Sequence, residues 1–529
     1  MLIDKVSKRN LLLIGLFLAA LLVRSAVFFM YLKNDENYWQ VDSNTYHVVA
    51  QQVAEGKGFT LDDGSFNFYR LPGYPAFLAF CYKFIGPDKV YALWVQLILA
   101  SFIPVLIYFL AMVMFASPLL GALAGIFSVF HLGLVLYSGF FMTESIFLIL
   151  FLLFLLIFLS TIHMFFCDTG RMSDAEKKFL ANRELKFMYM PEAASSGIEY
   201  LQFYEKAFPH KPGDLSSLDI HEHDADPGKL FLAGIFLGLA SLVRPVGHYA
   251  VVVAILLIIL SNLGWLRKMR MALVFFIGWL LPVSFWLVRN YMLLGHLFFH
   301  TLPGGHFLYL SAARVAMHVN DCSYQQARDL LTSEASVLRK NKEDALGRTL
   351  NAIELCKLNE DLALKYFKQY PLLTLKNWTT DMFRTMFSLY SSEIMYLENN
   401  RQEYDYFNKN RSYWSMFERY LFPKTQNLFL KFLIWFEILI YLILLMGLIF
   451  SIVSICLCFF KFSTNIIAAE NMCVLLKTIP WIAFFILLAL SGGYARMRLP
   501  IEPIIIILSI NFWLNFFKSK RIKSCNSIG

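Results

Sequence analysis

The sequence carries little charge: Asp, Glu, Lys and Arg make up 16% of its 529 residues, against 58% that are hydrophobic. A soluble chain rarely passes about half apolar, so a soluble globular class is excluded. Cysteine is also sparse. Eight residues without metal-ligand spacing imply neither a disulfide scaffold nor a zinc site. The apolar runs do not alternate with polar residues, which excludes a β-barrel. The net charge of +9 is spread over helix ends with no single basic patch, so nucleic acid is not expected as a partner. No internal repeat is visible, which weighs against transporter folds built from repeats.

What is present is continuous apolar sequence. Mean hydropathy is +0.55, and several runs approach or exceed the roughly 20 residues a helix needs to cross a bilayer. The expected class is an all-α polytopic membrane protein with ten transmembrane helices. They are placed at 11–31, 90–114, 119–137, 145–166, two short spans within 230–263, 271–290, 428–460, 474–490 and 500–516. The first follows Lys5, Lys8 and Arg9; it is long for a signal peptide, lacks a small-residue cleavage site, and is expected to be retained. The second is expected to bend at Pro104. Residues 230–263 as one helix would run roughly 50 Å against a hydrocarbon core of about 30 Å, so Arg244-Pro245 is read as the tip between two spans.

Positive charge orients these spans. Ten crossings put Lys5, Lys8 and Arg9, then Arg267, Lys268 and Arg270, then Lys518, Lys520, Arg521 and Lys523 on the cytoplasmic side. The loop 32–89, the turn before Ser145, the Arg244 tip, residues 291–427 and the turn 491–500 then share the opposite face. An insert at 167–229 faces the cytoplasm. The chain divides into a membrane core over 1–290, a helical outer region over 291–427, and C-terminal helices with a basic tail over 428–529. Within the outer region, 321–340 and 343–370 read as amphipathic helices, and 370–390 suits a helix lying in the membrane interface. Cys322 and Cys356 both fall there, where a disulfide could form.

The residues with chemistry begin in the stretch Val41–Pro75, the longest polar run in the first quarter of the chain. Asp42 could serve as general base if a partner holds it. It could equally cap a helix over Thr45–Glu55 that ends at Gly56. Glu144 opens a very apolar span, where the helix dipole favours an acid; ionisable groups at this depth also tend to serve a site. The two acids could share the base role or hold a divalent cation. Arg24, Arg70, Arg244, Arg289, Arg496 and Arg498 lie at outer ends of spans, where the positive-inside rule expects few. Snorkelling explains any one of them; a lipid phosphate would explain the set, because guanidinium binds phosphate bidentately. Arg70 to Pro75 reads as a rigid re-entry into the membrane, with Tyr74 at the interface. His221-Glu222-His223-Asp224 has metal-ligand residue types but reads as a solvated linker, and His131 and His163 read as packed. Glu437 and Lys477 are the mid-span charges.

These elements occur in an order that resembles the C-type (GT-C) glycosyltransferase superfamily. The residues are Asp42, the run from Tyr69 to Ala79 (YRLPGYPAFLA), Thr143-Glu144, Gly238 to Gly247 (GLASLVRPVG) and Gly492 to Pro500 (GGYARMRLP). Within the superfamily the chain is similar to the bacterial protein-mannosyltransferase-like and aminoarabinose-transferase-like enzymes (glycosyltransferase family 39, RgtA–D-like). The resemblance implies a multi-pass protein of the bacterial inner membrane with its site on the periplasmic side. It implies a polyprenyl-phosphate sugar donor and a lipid, glycan or protein acceptor. It matches Asp42 to the catalytic acid of the first loop and Glu144 to the second acidic position. Arg70, Arg244, Arg496 and Arg498 are then expected to bind the donor phosphate, with Tyr46, His47, Tyr74 and Tyr494 lining the substrate pocket. The chain departs from the family at Ser43, where many members carry a second acid, and in the larger insert at 167–229. The alternatives are a transporter or flippase of lipid-linked sugars, and an assembly protein that keeps the fold without the activity.

Overall fold

The computed structural model describes residues 2–32, 35–40, 42–162, 226–261, 263–398, 427–460, 466–488 and 493–526. Among them the regular structure is helical, mostly α with short π and 3-10 segments, and a single isolated bridge joins Thr60 and Phe66. This follows from the solvent: in hydrocarbon each backbone N–H and C=O must find its partner within the segment, which a helix provides. Most of the insert at 167–229, with His221 to Asp224, and His163 lie outside the described residues.

Among the described residues six helices are long and apolar enough to cross a membrane: Lys8–Leu32, Lys89–Phe115, Glu144–Thr161, Trp265–Leu294, Leu428–Val453 and Ala495–Lys518. A seventh arises if Pro118–Phe130 and Leu132–Gly139, bent by 53° to one another, count as one span. Pro227–Val243, Val246–Leu260 and Val474–Leu487 are shorter apolar helices. Each of the ten expected segments is helical over most of its described residues, but by length and composition fewer than ten are full crossings. At 1.5 Å per residue, Val246–Leu260 extends only about 22 Å.

The breaks have local causes. The expected bend at Pro104 falls instead at Ser101-Phe102, between Lys89–Ala100 and Ile103–Phe115. Pro104 sits in the first turn of the second piece, where a missing N–H costs nothing. The third span is not continuous, because His131 takes an extended conformation and its Nδ1 accepts from the Leu134 N–H at 3.4 Å. Arg244 is extended (φ −133°, ψ 138°), as a residue before proline prefers, and ends Pro227–Val243.

Glu144–Thr161 is the centre of the bundle. Phe147, Phe151, Phe154 and Phe158 are fully buried on it. Phe154 and Phe158 meet Phe275 at 6.1 and 5.6 Å, and the last three meet Trp481 at 5.4–6.1 Å. Beside it, Pro227–Val243 and Trp265–Leu294 touch backbone to backbone. A Cβ on Gly234 would lie 2.3 Å from the Phe275 carbonyl oxygen, and one on Gly278 would lie 2.2 Å from that of Phe231. Small residues at such crossings let membrane helices approach. Gly278→Ala is therefore expected to destabilise the protein by about 1–3 kcal/mol through overpacking. Alanine's better helix propensity, about 1 kcal/mol, acts in the opposite direction. The melting temperature in detergent, lower than wild type, is the check.

The outer region has its own small core, with Leu331, Leu358 and Leu362 packed on Leu308, Ala312 and Ala316. Its two helices are Tyr324–Leu346 and Ala352–Gln369, each opened by a capping box, Ser323 with Gln326 and Asn351 with Glu354. Residues 343–346 belong to the first helix, not the second as expected, because Gly347 (φ +64°) terminates it. Cys322 and Cys356 are free thiols, so the disulfide considered for them is absent. Pro371–Phe387 exposes Leu372, Leu375, Phe383 and Phe387, and Trp378 Nε1 donates to the Leu487 carbonyl at 3.0 Å, at the end of Ile466–Leu487.

Candidate active site

Asp42 precedes the helix Ser43–Ala54, but its side chain makes no capping hydrogen bond. The neighbouring serine explains how the loop reaches the second acid. Ser43 is fully buried; its Oγ donates to the Phe141 carbonyl at 2.8 Å and accepts from the Gln40 N–H at 2.9 Å. The Phe141 N–H in turn donates to the Tyr38 carbonyl at 2.9 Å. Loop and turn are thereby sewn together three residues before Glu144. Ser43 supplies this anchor.

The Asp42 carboxylate turns toward arginine. Arg70 Nη2 donates to its Oδ1 at 2.7 Å, and Arg496 Nη2 lies 3.6 Å from its Oδ2. Arg70 is held by stacking near Tyr46 and Tyr69, 4.8 and 4.7 Å from the ring centroids, and its Nη1 donates to the Tyr46 hydroxyl at 3.5 Å. The loop behind it is fixed by Asn67, whose Oδ1 accepts from the Arg70 N–H at 3.1 Å and whose Nδ2 donates to the Arg70 carbonyl at 3.0 Å. Glu144, fully buried in the first turn of its helix, accepts a short charge-assisted hydrogen bond from Arg496 Nε. Its Oε1 also lies 3.3 Å from Arg244 Nη1, an ion contact without hydrogen-bond geometry. Arg496 therefore bridges the two acids, and three guanidinium groups meet two carboxylates. Burial alone would raise the Asp42 carboxyl, but Arg496 and Arg70 outweigh it and hold the group below the usual carboxylate range.

No protein-family model matches the chain, and no curated protein matches it. Among solved structures, the archaeal oligosaccharyltransferase AglB from Archaeoglobus fulgidus, in complex with an inhibitory peptide and a dolichol-phosphate, is similar in form. It aligns with 98% of this chain at 11% identity and a TM-score of 0.45. The chain spans about half of that protein, 52% of its length.

A divalent cation does not fit between Asp42 and Glu144. The Arg496 guanidinium spans the two carboxylates and would have to leave first. Among the described residues no group of three or more His, Cys, Asp and Glu side chains could hold a metal ion.

Several expected site residues lie elsewhere. Arg498 is fully buried; its Nε pairs with Glu502 at 2.5 Å, and its Nη1 donates to the carbonyls of Thr385, Met386 and Ser388 at 2.9, 2.6 and 3.1 Å. It caps the end of Pro371–Phe387 instead of joining the acids. Tyr74 is fully buried and donates to Gln96 Oε1 at 2.8 Å, so it is a packing residue and not an interfacial one. His47 pairs with the Tyr82 hydroxyl at 2.8 Å and packs on Trp39. Tyr494 lies among Arg314, Asp381, Arg384 and Glu393. Arg289 donates to the carbonyls of Asn67 and Phe59 at 3.1 and 3.2 Å, pinning the loop that carries Arg70. Arg24 is buried on the first span and donates to the Ala20 carbonyl at 3.3 Å.

Sequence reading missed three contributors. Glu393 accepts from the Tyr137 hydroxyl at 3.0 Å and feels the charges of Arg496 and Glu144; burial raises its carboxyl. His306 lies in the field of Asp42, Arg70 and Arg496. Asp381, fully buried, forms a two-pronged pair with Arg314 at 2.6 and 2.5 Å. Its backbone carbonyl lies 1.9 Å from where a Cβ on Gly493 would be, three residues before Arg496. Helix Pro371–Phe387 thus presses on the turn that presents Arg496, and only glycine fits at the contact. Asp381→Asn leaves Arg314 buried with half a partner and is expected to cost about 3–5 kcal/mol, read as a lowered melting temperature.

Proposed function

We propose that this protein is a GT-C-type glycosyltransferase that moves a sugar from a polyprenyl-phosphate donor to an acceptor hydroxyl or amine with inversion. The observation that carries the reading is the meeting of Arg70, Arg244 and Arg496 with Asp42 and Glu144 at one end of a membrane bundle. An acid that can take a proton then stands beside an excess of cationic donors suited to a phosphate.

In this mechanism the acceptor heteroatom attacks the anomeric carbon and its proton passes to Asp42. The bond from that carbon to the phosphate oxygen breaks, and its electron pair stays on the phosphate. A phosphodiester of charge −1 becomes a monoester approaching −2. The guanidinium groups of Arg70, Arg244 and Arg496 meet that growing charge, which is the contribution that accelerates the step. Glu144 positions Arg496 and Arg244. With ten crossings the positive-inside pattern favours the non-cytoplasmic face for the site; a bacterial inner membrane is what the family resemblance implies.

The transporter alternative rests on mid-span charge, and Glu437 is already engaged: its carboxylate accepts from the Tyr390 and Ser391 N–H groups at 2.6 and 2.8 Å. The deciding experiment gives the purified protein, in liposomes, a radiolabelled polyprenyl-phosphate sugar and a membrane extract as acceptor source. Label transferred to an acceptor, with polyprenyl phosphate released, is the expected result. Movement of intact donor across the bilayer without transfer would overturn the reading in favour of a flippase.

A further inference from the structure

The cations best placed for a phosphate are the same ones that hold the carboxylates. Both Asp42 oxygens face guanidinium nitrogens, Arg70 Nη2 at 2.7 Å and Arg496 Nη2 at 3.6 Å. Glu144 takes the Nε edge of Arg496 and one nitrogen of Arg244. Of the nitrogens in this group, Arg70 Nε and Arg244 Nη1 are buried and make no hydrogen bond. A phosphate binds guanidinium strongly through two parallel N–H groups. On Arg70 and Arg496 every such pair includes a nitrogen that now contacts a carboxylate, whereas Arg244 turns its Nη2 to Met497 Sδ at 3.9 Å and away from both acids.

Charge counting points the same way. Three guanidinium groups against two carboxylates leave one positive charge, which a phosphodiester of charge −1 neutralises. During transfer the phosphate gains one negative charge while Asp42 gains a proton. The group therefore stays neutral from bound donor to product, provided that Asp42 is the group that accepts the proton. The groups facing Asp42 are Arg70, Tyr46, Arg496 and His306.

We propose that the donor phosphate and Asp42 compete for the guanidinium groups of Arg70 and Arg496, so that binding of the donor is what releases Asp42 to act as base. This rests on the reading of the site as one for a lipid phosphate. While paired, Asp42 is a weak base; when the phosphate draws the arginines away, its affinity for a proton rises. The acceptor is then deprotonated only when a donor is in place.

The inference predicts the sign of a binding change. If the carboxylate only positioned the arginines, removing its charge would weaken phosphate binding. If it competes with phosphate, removing it tightens binding. The full chain in nanodiscs is titrated with farnesyl phosphate, with inorganic phosphate and farnesol in parallel to separate the lipid headgroup from free phosphate. Asp42→Asn, with Asp42→Ser as a second variant, is expected to tighten farnesyl phosphate binding about tenfold, since close charge pairs couple by that much or more. Arg70→Gln and Arg496→Gln are expected to weaken it. Unchanged or weaker binding in the Asp42 variants, with the arginine variants weakened, overturns the competition and leaves the glycosyltransferase reading standing. Farnesyl phosphate bound no better than farnesol by wild type overturns that reading and the competition with it.

Discussion

Asp42→Asn is expected to reduce sugar transfer about 10²–10⁴-fold, the usual contribution of a positioned general base. Asparagine keeps the shape of the side chain and an oxygen for Arg70, but it cannot take the acceptor's proton. The loop has other anchors: Ser43 still reaches the Phe141 carbonyl and Asn67 still holds the Arg70 backbone. Asp42 keeps 30% of its side chain exposed, and Arg70, 10% exposed, keeps the Tyr46 and Tyr69 rings and an amide oxygen in the variant, so the loss of stability should be small beside that of a fully buried pair. Melting temperature should stay near wild type while kcat collapses. The donor KM should fall as well if phosphate and carboxylate compete, and that combination separates loss of a base from loss of structure. Near-normal turnover would remove Asp42 from the chemistry.

The positions of the spans were legible because hydrocarbon imposes one requirement, a continuous apolar helix, that composition alone reveals. The Arg244-Pro245 break was legible because proline restricts the residue before it. The bend at His131 was not. Histidine in an apolar run looks like a packed side chain, and its Nε2 lies 3.6 Å from Glu502, far along the chain. The arginines show the same limit more sharply. Arg24, Arg289 and Arg498 share residue type and helix-end position with Arg70, Arg244 and Arg496, yet they bond mainly to backbone carbonyls or to Glu502 while the others meet Asp42 and Glu144. What sorts them is the identity of the partner, which comes from elsewhere in the chain. The same holds for Asp381, whose partner Arg314 is 67 residues away. An order of motifs could bring Asp42, Glu144 and Arg496 under suspicion together; only packing could show what Ser43 and Gly493 do there, and only packing could add Glu393.

Arg496→Lys is expected to be nearly as damaging to the rate as Arg496→Gln, a loss of about 10²–10³ in kcat for one preorganised donor. The reason is geometric. Arg496 presents Nε to Glu144 and Nη2 to Asp42 on one planar group, so it spans both acids at once. Lysine carries the same charge at a single nitrogen and can serve one carboxylate or the other, and it cannot present the parallel N–H pair that a phosphate accepts. The two variants should differ in stability instead. Lysine leaves a cation beside the fully buried Glu144, whereas glutamine leaves that carboxylate with Arg244 as its remaining ion contact at 3.3 Å. A buried charge stripped of a partner is costly, about 3–5 kcal/mol, so Arg496→Gln should show the lower melting temperature of the two. Steady-state rates against melting temperatures for wild type, lysine and glutamine then resolve the roles. A lysine variant with wild-type kcat would mean that Arg496 acts as a point charge, and that bridging the two acids contributes nothing to the transfer.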